Sequence, residues 1–160
     1  VTTADAVDRE TAWLTNSGDG LPALLAADGG PWDLIQAYQP RTPPTQERSI
    51  FVLRLEFDDD RFDNVRKMVS YSFALRVNWP ILASTGSAED EQRALDAAIW
   101  QLLQRVRGPE FDKTHGGRFT SVGENPGKIR WRQDDPLKTI PAKVLTGEFS
   151  YFADDEEENV

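Results

Sequence analysis

Between residues 68 and 81 apolar side chains alternate with small or polar ones. Val69, Tyr71, Phe73, Leu75, Val77, Trp79 and Ile81 occupy one phase, and Met68, Ser70, Ser72, Ala74, Arg76 and Asn78 the other. A period of two with one apolar face predicts a strand in an antiparallel sheet covered on one side, because a strand buried on both faces is apolar in both phases. A helical period follows. Leu95, Ile99, Leu102 and Val106, thickened by Ala98 and Leu103, form a single stripe. Ser87 is a good N-cap, and Glu89, Asp90 and Glu91 fall in the first turn, where carboxylates meet unpaired N–H groups. Arg105 and Arg107 suit the last turn, and Gly108-Pro109 ends the helix. Laid on the strand's apolar face, this helix forms the centre of the expected core.

The flanking chain is less regular. Ala6, Val7, Glu10, Trp13 and Leu14 give residues 4–14 a partly apolar helical face, ended by NSGDG, and residues 21–28 read as another helical turn or two stopped by GGP. Residues 1–31 are expected to be an N-terminal arm, packed back through Trp13, Leu21, Leu24 and Leu25, ordered by a neighbouring subunit, or mobile. A strand or strand-like edge is expected at 32–38, before a linker in which Pro40, Pro43 and Pro44 disfavour a ladder. In the next strand Phe51, Leu53, Leu55 and Phe57 share one phase and Ile50, Val52, Arg54 and Glu56 the other, which suits a central strand or one covered at one end by another chain. Residues 58–67 read as a charged hairpin connection, and 118–133 as a hairpin turning at Glu124-Asn125-Pro126-Gly127. A last strand at 139–152 puts Leu145, Phe149 and Tyr151 in phase, with Gly147 relaxing the packing or marking a bulge. The acids of 154–160 predict a disordered tail. The expected fold class is α+β: a single antiparallel or mixed β-sheet covered by one principal helix, with an arm (1–31), a core domain (32–153) and an acidic C-terminal tail (154–160).

Composition narrows the function classes. Among 160 residues, 27 acidic side chains against 18 basic ones leave a formal charge of −9. That argues against a dedicated phosphate-backbone binder, whose affinity rests on clustered Lys and Arg. There is no cysteine, which excludes disulfides and thiolate chemistry. No run of eighteen apolar residues and no positively led hydrophobic leader is present, so neither a membrane span nor classical secretion is expected. Five Trp residues and 39% hydrophobic content argue against a wholly disordered chain.

Candidate chemistry is sparse. His115, the only histidine, lies in DKTHGG near Asp112, Thr114, Thr120 and Ser121 without forming a recognisable nucleophile–base–orienter set, and reads as a loop histidine making local hydrogen bonds. Asp58, Asp59, Asp60 and Asp63 lack the turn glycine and terminal Glu of a calcium loop. GENPG lacks the Lys-Ser or Lys-Thr of a phosphate loop. Lys128, Arg130 and Arg132, interleaved with Ile129 and Trp131, read as a solvated or interface edge facing another subunit's acids rather than a nucleic-acid stripe. Trp32, Trp79, Trp100 and Trp131 together supply more aromatic area than a small core needs, which points to oligomerisation. No catalytic, cofactor-binding or metal residue is expected, no cofactor, and no enzymatic activity.

The proline-rich linker, the long hairpin ending in VSYSFALRVNWPI, the helix AEDEQRALDAAIWQLLQRVRG and an acidic end after a last strand resemble the tail terminator proteins of long-tailed bacteriophages, over residues 32–153. The resemblance implies a structural virion protein, assembled in the host cytoplasm, whose hexameric ring ends the tail tube and joins it to the head-side connector. The implied partners are copies of itself, the tail-tube protein and the connector, with DNA only as passing cargo and no membrane. Another neck or head-completion protein, or a tail-tube protein, is the alternative.

Overall fold

The strand read from period-two alternation is the middle of a six-stranded sheet. The computed structural model describes residues 3–17, 21–42, 44–61, 66–82, 87–107, 113–124 and 127–158. β1 (Leu34–Ala37) pairs parallel with β2 (Ser49–Arg61), and β2 pairs antiparallel with β3 (Arg66–Pro80). β3 in turn pairs antiparallel with the final strand, β6 (Val144–Glu158), whose far edge carries the short strands β4 (Ser121–Val122) and β5 (Arg130–Gln133). The sheet is therefore mixed. Among the described residues the other elements are three α-helices, α1 (Thr3–Thr15), α2 (Ala88–Arg107) and α3 (Pro136–Thr139), and a 3-10 turn at Ala26–Asp28.

The apolar phase of β3 from Val69 to Trp79 is buried, and the register places Leu75 beside Phe149, Phe73 beside Tyr151 and Tyr71 beside Ala153 on the same face. Leu95, Ala98, Ile99, Leu102 and Val106 of α2 are buried in the same cluster. Ser87 Oγ accepts the Asp90 N–H at 3.2 Å, as an N-cap should. The Gly108-Pro109 stop lies outside the described residues.

The described residues of the N-terminal segment pack back on the core, one of the outcomes expected for them. Ala6, Val7, Glu10, Trp13 and Leu14 of α1 are all buried, at the spacing of one helical stripe. Leu24 and Trp32 are buried as well, and the chain between them is closed by Trp32 N–H to Leu24 O (2.9 Å) and Ala26 N–H to Trp32 O (2.6 Å). Gly30 permits that closure, since a Cβ there would come within 2.3 Å of the Leu24 backbone.

The expected acidic tail is ladder through Glu158. Register pairs Asp154 to Glu158 with Ser70 to Arg66, and Asp58 to Arg61 lie on the other side of β3, so residues 58–61 and 66–67 of the charged stretch are strand too. Asp63 lies outside the described residues. Backbone pairing ignores side-chain charge, and tertiary partners hold two of the acids, Arg9 Nη1 lying 2.8 Å from Asp155 Oδ2 and Ser70 Oγ donating to Asp154 Oδ1 (2.6 Å), while the Glu156 backbone N–H donates to Thr120 Oγ1 (3.2 Å). Charge density alone overstates disorder where such groups are paired.

The segment 118–133 is not a hairpin. β4 and β5 are both antiparallel to β6, at Asp154–Ala153 and Ser150–Gly147, so they run in the same direction, one after the other along one edge. The chain leaves that edge between them, beginning at Gly123 with φ +71°. The Asn125-Pro126 turn signal lies outside the described residues.

The last strand also starts later than expected. Asp135 caps α3, its Oδ1 accepting the Leu137 N–H at 3.0 Å, with Pro136 in the first turn. In β2 a bulge between Arg54 and Glu56 shifts the alternation, so Ile50 and Val52 face the core, and Phe57, expected in the opposite phase, lies beside core-facing Tyr71. Gly147 marks no bulge; it keeps regular register and leaves space for the Trp131 indole, which a Cβ there would meet at 2.4 Å.

Candidate functional site

The most concentrated ionisable chemistry lies inside the protein. Glu10 sits mid-stripe on α1, and His115 reaches it from the 113–119 turn, where φ at His115 is +51°. His115 Nδ1 is 2.6 Å from Glu10 Oε1, its Nε2 meets Val106 O, and its ring stacks on Trp13 at 4.7 Å between centroids. The carbonyl of Val106 can only accept, so Nε2 carries a proton, and Nδ1 and Oε1 share the next one. Both side chains are fully buried. The pairing is that of a catalytic base and its orienter, yet the nitrogen that would face a substrate is occupied by backbone. The His115 ring is thus joined to residues outside its turn, while its carbonyl accepts locally from Arg118 Nη1 (3.1 Å).

Two groups extend this cluster. Arg105, buried at the end of α2, donates to Trp13 O (2.7 Å) and Asn16 O (3.0 Å), with its guanidinium 4.5 Å from the Trp13 ring. Tyr151 lies on the sheet beneath. Its hydroxyl and Glu10 Oε2 are buried, and neither completes a hydrogen bond of normal geometry. Burial first, then the charge of the nearby Glu10 carboxylate and its side-chain approach to the phenol, hold the phenol's pKa well above its usual value.

A second buried carboxylate, Glu91, stands in the first turn of α2. It accepts from Trp79 Nε1 (2.8 Å) and from Arg48 Nη2 (3.4 Å), and the Arg48 guanidinium lies 4.1 Å over the Trp79 ring. Trp32 meets Trp79 edge-on at 5.1 Å. Trp32 and Trp79 are therefore occupied in the core, and the aromatic surplus expected for subunit contacts reduces to Trp100 and Trp131. Among the described residues no three His, Asp or Glu side chains are grouped as metal ligands. No helix among them is long and apolar enough to cross a membrane.

The outside of the sheet is more distinctive. β1 pairs with β2 only at residues 49–52, and after Tyr38 N–H reaches Val52 O (2.9 Å) a φ of +67° at Tyr38 takes the chain away. Beyond that point, among the described residues, no strand pairs with the outer edge of β2 over 53–58. Leu55 (53% exposed) and Phe57 (46%) lie along it, followed by exposed Asp58, Asp59 and Asp60. On the opposite edge, exposed Arg130 and Arg132 flank half-buried Trp131, so the basic stripe read from the sequence is a sheet edge. Trp100 is 67% exposed and borders a groove of about 330 Å³ with Ile99, Leu103, Ile129, Trp131 and Phe149. A further cavity of about 560 Å³ at the end of β3 includes Pro44, Pro80, Ile81 and Lys143 in its lining, and Lys143 is the sole ionisable group among its described lining residues.

A comparison with protein-family models returns no match, and a comparison with curated proteins returns none either.

Proposed function

We propose that this chain is a structural virion protein of the tail-terminator kind, forming a hexameric ring that ends the tail tube of a long-tailed bacteriophage, joins it to the head-side connector and lets DNA pass. The observation that carries the reading is the exposed strand edge of β2, open over residues 53–58 among the described residues and lined by Leu55 and Phe57. A strand edge of this length with apolar side chains is a surface for another chain. Trp100 beside its groove adds a second apolar exposure of the kind enriched in subunit contacts.

Charge supports the same reading. Asp58, Asp59, Asp60 and Glu156 are exposed where β2 and β6 flank the first half of β3, and with a net charge of −9 they suit a surface that DNA passes without being held. The buried imidazole, closed by Val106 O, supports a role in packing. A gold-labelled antibody against the chain, applied to tailed particles that carry it, tests the assignment. Label at the head–tail junction is expected; label along the tube would favour a tail-tube protein, and label on the head a head-completion protein.

A further inference from the structure

We propose that copies of this chain join edge to edge, with β5 of one copy adding antiparallel to the open edge of β2 in the next, so that Arg130, Trp131 and Arg132 lie opposite Asp58, Phe57 and Glu56. The inference rests on the reading above that the chain assembles with itself, and it names the surfaces that meet.

Strand direction allows it. β2 is antiparallel to β3, β3 to β6, and β6 to β5, so β2 and β5 run in opposite directions within one sheet. Two copies set side by side in the same orientation therefore bring β5 against β2 as an antiparallel pair, with neither copy inverted. The contact is head to tail, and repeating it closes a ring when the rotation per step divides a full turn.

The faces of the two edges match position by position. Register puts Arg130 beside Ser150 and Arg132 beside Glu148, on the sheet face opposite the one that carries Phe73, Leu75 and Tyr151, and Trp131 beside core-facing Phe149. Past the bulge in β2, Glu56 lies beside Ser72 and Asp58 beside Ser70, on that same outer face, and Phe57 lies beside core-facing Tyr71. Antiparallel pairing thus sets basic against acidic on one face and Trp against Phe on the other, the combinations that stabilise cross-strand neighbours. In the single chain the exposed Phe57 ring is accompanied by the Arg54 guanidinium at 4.9 Å.

Charge also selects against the symmetric alternatives. Two β2 edges facing each other bring together Glu56, Asp58, Asp59 and Asp60 from both copies, and two β5 edges bring together Arg130 and Arg132. Like charges directly opposite are destabilising.

Sedimentation velocity on the purified chain over a concentration series tests the pairing. The wild type is expected to form species larger than a dimer that weaken as salt is raised. Arg130→Glu with Arg132→Glu, and separately Glu56→Arg with Asp58→Arg, are each expected to sediment as folded monomers, and an equimolar mixture of the two is expected to assemble again, because each reversed edge then finds its complement. The milder pair Arg130→Gln with Arg132→Gln leaves the strand without reversed charge and is expected to weaken association about tenfold. It stands in for the glutamates should circular dichroism show that they disturb the fold. A wild type that stays monomeric at every concentration, arginine variants that assemble like the wild type, or a mixture that stays monomeric while both components are folded would each overturn the pairing. A persistent oligomer in all variants would leave the ring reading standing on another surface, whereas the position of the chain in particles decides that reading separately.

Discussion

Glu10 Oε1 and His115 Nδ1 lie 2.6 Å apart, joining the first helix to a turn 105 residues later inside a fully buried site. With Nε2 committed to Val106 O, the pair holds one shared proton, and removing either partner strands the other without water to replace it. Glu10→Ala is expected to destabilise the protein by about 3 kcal/mol. Glu10→Gln, whose amide can donate to Nδ1, should lose only about 1 kcal/mol. Urea unfolding of the two variants measures the difference, and equal midpoints would show that the pair contributes nothing specific.

Tyr151 makes the protein sensitive to alkali. The unfolded phenol loses its proton near pH ~10, while burial and Glu10 keep the folded one protonated to higher pH. The folded state then binds more protons than the unfolded state, so stability falls as pH rises through about 10 and above. Tyr151→Phe is expected to remove this component of the alkaline loss and to be neutral or slightly stabilising at pH 7, because the hydroxyl makes no bond of normal geometry. A loss of more than about 1 kcal/mol at neutral pH would instead reveal a formed bond to Glu10.

Two neighbours on α2 should respond in opposite ways. Ile99 is buried and Trp100 mostly exposed. Ile99→Asp places a carboxylate in the apolar cluster and is expected to cost about 3 kcal/mol or more. Trp100→Ser should stay within about 0.5 kcal/mol of the wild type. A thermal scan in which both variants behave alike would contradict the assigned orientation of the helix.

Gly147 is required by the ring packed over it. A Cβ at this position meets Trp131 Cη2 at 2.4 Å and Arg132 O at 2.8 Å, so Gly147→Ala must displace β5. The expected loss is about 2 kcal/mol, with a changed Trp fluorescence spectrum. An unperturbed spectrum and melting temperature would mean that Trp131 does not lie over the glycine.

Local signals in the sequence anticipate part of this structure. The alternation from Val69 to Trp79 and the stripe from Leu95 to Val106 are visible because one period persists over a whole element, and Ser87 caps α2 as its type suggests. Asp135-Pro136 carries an equally plain helix-start signal for α3. Glu10 is visible as a polar residue within an apolar stripe, but its partner is set by tertiary register, which no local pattern encodes. The same holds for the acids of 154–158, where composition favours disorder and the β3 ladder prevails. Residues 123–129 carry turn residues that suit a hairpin equally well, and it is the edge of β6 that aligns β4 with β5. The complementarity of Arg130-Trp131-Arg132 with Glu56-Phe57-Asp58 is written in the sequence, yet it acquires meaning only once the two segments are known to be opposite edges of one sheet.

Cryo-electron microscopy of tailed particles containing this chain decides whether it forms a ring at the neck. A six-fold ring of the chain is expected at the junction between tail tube and head-side connector, with a continuous passage for DNA. Density for the chain repeated along the tube, confined to the head, or absent from the particle would contradict it.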